Sequence, residues 1–326
     1  YLESKTSPLG FNENIGVYPT IDNCPSTNVI NRSVFMVLNK SSISNQQIEL
    51  FSQRARADIV RLARHIDNAN SNDAWFNLFY GLPTVYQEGI LAQNKAPLTI
   101  QLLDKLSFSH QLTVVNQRQV QAETQLPPWV NKLFTPVTFK GDVKELIFGK
   151  HFSSLTAGLH VYYFDNEDDY QLELFVAALL LAQENKKQKD IIWVSSLGNE
   201  KEVNQLAVKP ALLIWPESDK SKLRVLTSQM DIVPTFMNGW LNCHTPTEKY
   251  TTGDNILSIN HNRILANSRE NGLMIFEKDK SVFVDQQGNF QGYSRQLNAP
   301  ITIKPDYPLM INGVHNIKKY VGEASQ

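Results

Sequence analysis

The chain has 326 residues, which is enough to bury a sizeable hydrophobic core. Hydrophobic residues make up 42% of it and charged residues 19%, as in an ordinary soluble globular protein. The formal net charge of -1 and the lack of basic blocks argue against nucleic-acid binding as the main function. The longest apolar stretch, Leu174–Ala182, is too short to cross a bilayer, which needs about 20 residues.

The first residue is Tyr1 and not a methionine, so we expect a fragment whose upstream part, a signal peptide or a membrane anchor, has been removed. Residues 1–32 are polar and rich in proline and glycine, which predicts an extended lead-in. The chain has two cysteines, Cys24 and Cys243. They could pair in an oxidising compartment, and their spacing does not decide whether they do.

The first strong signal is the apolar run Val34–Leu38, bounded by polar turn residues. Such a run is typical of a fully buried strand in a parallel sheet. In open α/β sheets the ligand site lies just beyond the carboxyl ends of these strands. Asn39 therefore occupies a position where a catalytic carboxylate is expected, but it carries an amide.

The segments after this strand continue an alternation of helices and strands. Residues 44–56 predict a helix, 59–66 are ambiguous between helix and strand, 67–73 predict a polar loop, and 74–81 predict a short buried helix stopped by Gly81 and Pro83. Farther along the chain, helices are predicted at 97–106, 168–185 and 228–241. Strands are predicted at 111–115, 160–164, 191–194 and 211–215. Residues 117–141 predict irregular surface chain.

From Arg263 onward the pattern changes to period two. Three short strands, at 272–276, 281–284 and 290–293, predict an antiparallel meander, and a helix is predicted at about 309–321. The fold class is therefore α/β, with a doubly wound, mostly parallel central sheet flanked by helices, followed by a small antiparallel meander and a final helix. We expect a lead-in at 1–32, an α/β domain at 33–260, and a C-terminal sheet and helix at 261–326 packed on the same domain.

Three motifs carry a resemblance to a known family. They are NLFYGLPTVYQEGIL at 77–91, TSQMDIVPTFM at 227–237 and TPTEKYTTGD at 245–254. Together with the order and spacing of the strands over residues 33–257, they resemble the sulfatase branch of the alkaline-phosphatase superfamily. The nearest likeness is to the PbgA/YejM family of the Gram-negative inner membrane.

The resemblance implies particular groups at the strand ends. In that superfamily one or two divalent cations are held by Asp and His, and a Thr, Ser or formylglycine nucleophile lies at a helix N-terminus. In this chain the first ligand position holds Asn39, the nucleophile position holds Asn70 with the Ser71 hydroxyl beside it, and the Asp-His pair is replaced by Ser196 and Leu197. Residues 199–209, where the last metal histidine is expected, contain no histidine.

We therefore expect a vestigial site that needs no cofactor, because a divalent cation requires several charged or strongly dipolar ligands. If the site is active instead, Ser71 is the best nucleophile and Asn39 a ligand for Mg²⁺, Mn²⁺ or Ca²⁺.

Other candidate residues favour structural roles. His65 is the best remaining catalytic histidine, whereas His160 is interpreted as a core histidine. Asp165, Glu167, Asp168 and Asp169 suit a helix N-terminus better than a metal site. The paired aromatics at 75–76, 79–80 and 162–163 are interpreted as core packing.

The resemblance also implies a function. Members of the PbgA/YejM family are inner-membrane proteins whose periplasmic domain works as a sensor of lipopolysaccharide and regulates its synthesis through LapB-like partners; an older proposal makes them cardiolipin carriers. By this resemblance the domain here lies on the periplasmic side of the inner membrane of a Gram-negative bacterium, and the lead-in runs near the lipid headgroups. Arg32 and Lys5 are the cations of the lead-in, and Arg32 is the candidate lipid-binding residue. The alternatives are a divergent metal-dependent sulfatase, phosphatase or lipid-headgroup transferase, and a structural module of a membrane complex.

Overall fold

A computed structural model describes residues 16–20, 24, 32–55, 58–116, 126–165, 169–198, 206–218, 222–269, 272–294, 299–320 and 322. The central sheet contains nine strands, which are β1 (Val34–Asn39), β2 (Ile59–Asn68), β3 (Ser109–Val115), β4 (Thr138–Lys140), β5 (Gly158–Phe164), β6 (Ile191–Ser196), β7 (Leu206–Val208), β8 (Ala211–Ile214) and β9 (Lys222–Ser228). Their order is β4-β3-β5-β1-β6-β8-β2-β7, and β9 pairs with β2.

Most pairs in this sheet are parallel. β1 lies between β5 and β6, and β3 between β4 and β5, all in parallel register. β9 runs parallel to β2, whereas β7 and β8 run antiparallel to their neighbours. The predicted doubly wound, mostly parallel sheet is confirmed.

Helices cover both faces of the sheet. They are α1 (Asn45–Ala55), α2 (Ser71–Tyr80), α3 (Gln87–Leu91), α4 (Leu98–Lys105), α5 (Pro128–Leu133), α6 (Lys144–Ile147), α7 (His151–Ser154), α8 (Asp169–Gln183), α9 (Ile232–Thr235) and α10 (Tyr307–Ile317). Short 3₁₀ segments lie at Thr84–Tyr86, Gln229–Asp231 and Thr247–Lys249, and a π-helical turn at Phe236–Trp240.

The packing on both faces of β1 explains why its sequence is apolar from Val34 to Leu38. Val34, Met36 and Leu38 face the core shared with α2, α4 and α9, while Phe35 and Val37 face the core shared with α1 and α8. A strand with a covered face on each side needs no polar alternation.

Several predicted elements need correction. Asp67 and Asn68 lie in β2, not in a loop, because their backbone pairs with β7. The chain between 126 and 141 contains α5 and β4, so it is not wholly irregular. Residues 228–241 form three successive helical segments of different pitch in place of one regular helix.

The C-terminal part is a second sheet of five antiparallel strands, β10 (Leu265–Arg269), β11 (Gly272–Phe276), β12 (Ser281–Asp285), β13 (Phe290–Tyr293) and β14 (Pro300–Ile301). The predicted meander is confirmed and gains a strand at each end. The final helix, α10, starts two residues earlier than predicted and ends at Ile317. It packs on β10 and β11, where Gly313 leaves room for Ile275, 2.5 Å from the position of a β-carbon at that glycine.

The described residues of the lead-in contact the globular part, among other places, at Cys24 and Tyr18. Cys24 and Cys243 form a disulfide, which resolves the alternative that the sequence left open. The Tyr18 side chain is fully buried, and its hydroxyl accepts a hydrogen bond from the backbone N–H of Leu98 at 3.1 Å. Among the described helices, none combines the length and the apolar character needed to cross a membrane.

Candidate functional site

The carboxyl ends of β1 and β6 bring the predicted site residues together. Asn39 and Ser196 are register partners at the ends of these strands, and the Leu197 N–H donates to the Asn39 carbonyl at 2.8 Å. Gly198 follows in a left-handed conformation, with φ of 70°. A β-carbon there would lie 2.9 Å from the Cα of Ser71, so glycine lets the loop after β6 touch the start of α2.

The side chains at these strand ends point into protein, not into an open cleft. Asn39 and Ser196 are 2% and 1% exposed, and Leu197 is fully buried in the apolar core. The Asn39 Nδ2 atom has no hydrogen-bond partner among the described residues. An apolar side chain offers a cation no lone pair, so Leu197 cannot act as a metal ligand.

Asn70 caps a helix. Its Oδ1 accepts from the backbone N–H of Asp73 at 3.2 Å, at the N-terminus of α2, and its own N–H donates to Asn68 at 3.0 Å. Ser71 is the first residue of α2 and is half-buried. The side chain at the position where the resemblance predicts a nucleophile therefore caps the helix N-terminus.

His65 takes part in an internal chain of hydrogen bonds. Its Nδ1 lies 3.0 Å from Thr227 Oγ1, and its Nε2 lies 3.0 Å from Gln229 Oε1. Since that amide oxygen can only accept, Nε2 carries the proton and Nδ1 accepts from the Thr227 hydroxyl. Burial lowers the pKa of His65 to about 4, so the ring is neutral at physiological pH.

Gln229 extends this chain to the strand ends. Its Nε2 donates to the Ser196 carbonyl at 2.9 Å, and it lies 3.3 Å from Ser195 Oγ and 3.4 Å from Asp67 Oδ1. Thr227 and Gln229 belong to the motif at 227–237, so the structure shows what the start of this motif does in the fold. The motif ties β9 to the ends of β2 and β6.

Asp67 is the residue of this region that sequence reasoning missed. It is 3% exposed, and its Oδ2 accepts from the Gly198 N–H at 3.2 Å. Burial raises the pKa of Asp67 to about 7, although hydrogen bonds from Gln229 and from the backbone N–H groups of Asn68 and Gly198 favour the ionised carboxylate. The two-residue spacing from His65 was the available signal, because alternate residues of a strand face the same side.

Replacing Asp67 by Asn is expected to change how stability depends on pH. In the wild-type protein the unfolded carboxyl ionises near its ordinary pKa of 3.8, whereas the folded one holds its proton until about 7. The unfolded state therefore binds fewer protons between these values, and wild-type stability falls as pH rises through them. Urea unfolding of Asp67→Asn and wild type from pH 4 to pH 8 should show the variant gaining stability relative to wild type over that window.

If the stability of Asp67→Asn relative to wild type does not change between pH 4 and pH 8, or if it falls as the pH rises, this account of Asp67 is wrong. The opposing titration of neighbouring His65 occurs in both proteins and largely cancels in the difference.

The other described histidines and acidic residues were also candidates for a site. His160 is 1% exposed and its Nε2 lies 2.9 Å from the Thr156 carbonyl, as expected of a core histidine. Glu167 and Asp168 lie outside the described residues. Within the described ranges no group of three or more His, Cys, Asp or Glu side chains is arranged to hold a metal ion.

Arg32, the proposed lipid contact, lies just before β1. Its carbonyl accepts from the Trp240 indole at 3.0 Å, and its guanidinium lies 3.7 Å from Glu217. The side chain is 19% exposed, so part of it remains available to solvent. Lys5 lies outside the described residues.

The first family motif forms an amide network that joins the two sheets. Asn77 on α2 donates to the Leu82 carbonyl at 2.8 Å and accepts from Asn267 of β10 at 3.1 Å. Asn68 approaches the same oxygen at 3.4 Å. These amides and Asp67 line a small internal cavity with room for about one water molecule.

The second and third motifs meet at a buried ion network. Asp231 is fully buried, and both of its oxygens accept from the Arg263 guanidinium, at 2.7 and 2.9 Å. Arg263 also contacts Asp254 at 2.9 Å, and Asp254 contacts Lys319 at 2.7 Å. This network connects the central domain to the segments before β10 and after α10.

Comparison with known proteins agrees with this description. No family model matches the chain. It is 21% identical to the inner membrane protein YejM of Salmonella typhimurium and of Salmonella typhi over 330 residues, covering 87% of this chain and 54% of each relative. The chain thus spans about half the length of these relatives.

Solved structures share the fold at low sequence identity. An alkaline phosphatase superfamily protein from Vibrio parahaemolyticus superposes with a TM-score of 0.59, at 10% identity over 94% of this chain and 93% of that one. The lipoteichoic acid synthase LtaP from Listeria monocytogenes gives 0.56, at 11% identity over 94% of this chain and 95% of that one. The expected resemblance is confirmed: the chain is similar to YejM in sequence, and it has the fold of these alkaline-phosphatase superfamily structures.

Proposed function

We propose that this chain is a catalytically degenerate sulfatase-like domain on the periplasmic side of an inner membrane, which binds or senses lipopolysaccharide and regulates outer-membrane lipid homeostasis. The observation that supports catalytic degeneracy is the burial and the chemistry of the side chains at the carboxyl ends of β1 and β6. Asn39 and Ser196 are buried side by side, and Leu197 fills a ligand position with apolar packing.

Metal chemistry argues for the same interpretation. A hard divalent cation exchanges its hydration shell for several carboxylate or imidazole ligands. The amide of Asn39 and the hydroxyl of Ser196 supply no charge, and the nearby Asp67 is engaged by Gly198 and Gln229. A single carboxyl with a raised pKa does not replace the missing set.

The proposed location rests on similarity and on cysteine chemistry. The Salmonella relatives are inner membrane proteins, and this chain matches about half of their length. The disulfide between Cys24 and Cys243 suits an oxidising compartment such as the periplasm. A membrane anchor in the remaining part of the protein would hold the domain at the lipid surface.

The regulatory role follows the same resemblance. A domain that has lost turnover but kept its fold can bind a lipid headgroup and report its presence to a LapB-like membrane partner. Capture of such a partner by the full-length protein should depend on added lipopolysaccharide, whereas a purely structural module would capture it equally well without the lipid.

Loss of catalysis is tested by turnover. Aryl sulfate and phosphate esters should show no hydrolysis above background with Mg²⁺, Mn²⁺ or Ca²⁺, and Asn39→Ala and Ser71→Ala should leave that background unchanged. Metal-dependent hydrolysis that disappears in either variant would overturn the proposal.

A divergent hydrolase is the second candidate, because of Ser71. Its half-buried hydroxyl lies at the positive N-terminal end of α2, beside the close approach of Gly198. In that case Ser71 would attack the ester, and Asn39 would be the ligand of a weakly bound cation.

A further inference from the structure

The outer face of α8 carries an apolar stripe formed by Tyr170, Leu174, Ala177 and Leu181. Tyr170 and Leu181 are 56% and 65% exposed, and the two residues between them are half-buried. The residues of the stripe follow one another at alternating intervals of four and three, as in the apolar seam of a coiled coil. The opposite face of α8 packs on the central sheet. The helix is therefore apolar on both sides, which is typical of a helix that is covered on both sides.

The apolar stripe borders a groove between α8 and α1. The groove has a volume of about 540 Å³, and its apolar lining includes Leu50 of α1 and Leu174, Ala177, Ala178 and Leu181 of α8. Small alanine side chains in a groove between two helices let a third helix approach closely and fill the space. The shape of this surface therefore suits a helix.

The described residues of the lead-in lie on the other face of the central sheet. Tyr18 and Cys24 belong to the core that α2 and α4 cover, whereas α1 and α8 cover the second core. α10 and the C-terminal sheet also pack against the first core. Residues 56–57 and 166–168, at the ends of the two helices, lie outside the described residues, but the centre of the groove is lined by described ones.

A second copy of the same surface fits the groove. If two α8 helices cross antiparallel about a twofold axis between residues 175 and 176, Tyr170 of each copy meets Leu181 of the other, and Leu174 meets Ala177. A large side chain then faces a small one at the centre, and both stripes are covered along their whole length. The apolar stripe is therefore complementary to itself.

The charges at the two ends of α8 are also complementary. Residues 165–169 carry four carboxylates, of which Asp165 pairs with Lys40 at 3.2 Å. Residues 184–190 carry three lysines and two carboxylates, and the exposed Arg54 beside them adds a further positive charge. Antiparallel pairing brings the acidic end of each copy to the basic end of the other, whereas parallel pairing would bring like charges together.

An anionic lipid surface suits this face less well. A flat bilayer would leave the groove unfilled, and Glu173 and Glu184 place two carboxylates along the helix. The Glu173 carboxylate accepts from the Gln47 amide of α1 at 3.4 Å, so it is held within the chain and leaves the stripe apolar.

We propose that the chain forms a twofold symmetric dimer through the groove between α1 and α8, with the two α8 helices antiparallel. The contact is one helix pair with flanking residues of α1, which is at the small end of specific interfaces, so we expect a dissociation constant of about 10–100 µM. This inference depends neither on the loss of catalysis nor on a membrane anchor.

Sedimentation equilibrium of the 326-residue chain tests the dimer. Between about 5 and 500 µM the average mass should rise from that of a monomer toward twice that value. Leu181→Lys should weaken the dimer by at least about tenfold, because it places a charge against Tyr170 inside the interface. Ile311→Lys is the matched control, since Ile311 is 51% exposed on α10, and it should leave the association unchanged.

Cross-linking tests the register. Tyr170→Cys and Leu181→Cys chains, one of them lengthened by a tag, are mixed and oxidised; the native cysteines are paired and do not react. The mixed disulfide should form at least about fivefold faster than the disulfide of either variant with itself, because the dimer holds these two positions together.

A chain that stays monomeric throughout would overturn the proposal, and a different protein would then be the occupant of the groove. A dimer that Leu181→Lys does not weaken would overturn it as well, because the contact would lie on another surface. Equal rates for the mixed disulfide and for Leu181→Cys with itself would overturn the antiparallel arrangement.

Discussion

Replacing Arg263 by Met should lower the free energy of unfolding by about 3–5 kcal/mol, as is typical when one partner of a buried ion pair is removed. Arg263 is 6% exposed and holds both oxygens of the fully buried Asp231. Without the guanidinium, Asp231 stays buried as an uncompensated charge or must take up a proton. Urea unfolding at neutral pH measures the loss.

Lys280→Met is the control for this prediction. Lys280 also pairs with a carboxylate, Asp306, but their side chains are 29% and 28% exposed. Pairs nearer the surface contribute at most about 1 kcal/mol, so this variant should lose far less. If both variants lose the same small amount, the Arg263 network does not join the two parts of the fold as described.

Replacing Leu197 by His, the ligand that the resemblance predicts at this position, should destabilise the protein by about 3 kcal/mol. The change removes a fully buried apolar side chain and places an imidazole in the core without a prepared partner. We expect Mn²⁺ or Zn²⁺ to leave the melting temperature of the variant unchanged, because one imidazole beside Asn39 and Ser196 does not complete a ligand set.

Leu197→Met keeps the volume and apolar character of the side chain and should cost less than about 1.5 kcal/mol. A Leu197→His protein that is as stable as wild type, or that a divalent cation strongly stabilises, would indicate an open site ready to hold metal.

The sequence predicted the centre of the fold because β1, β5 and β6 are continuous apolar runs. Such short runs are typical of strands with both faces covered, and the structure covers both faces of β1. The C-terminal meander was equally visible, since its strands alternate and are joined by short turns.

Strand direction and strand ends were harder to predict. The apolar run at β8 is as hydrophobic as that of β6, and nothing in it indicates that β8 runs antiparallel. Asp67 and Asn68 look like loop residues, yet they extend β2 because β7 pairs with them and buried amides satisfy their side chains. These are tertiary effects that no local pattern encodes.

The sequence predicted which strand ends meet, but it did not predict the contacts that their side chains make. The strand ends place Asn39 against Ser196 and Leu197, since parallel strands finish at one edge of the sheet. The contact between Gln229 and His65 depends on β9 pairing with β2, which lies over 160 residues away in sequence. No sequence motif predicts that pairing.

Crystals of the wild-type chain soaked in Mn²⁺ test the central claim, a degenerate metal site, most directly. An anomalous difference map should show no manganese within ligand distance of Asn39 Oδ1 or Ser196 Oγ. A manganese peak bridging Asn39 and the N-terminus of α2 near Ser71, and absent from Asn39→Ala crystals, would contradict the account and establish a working metal centre.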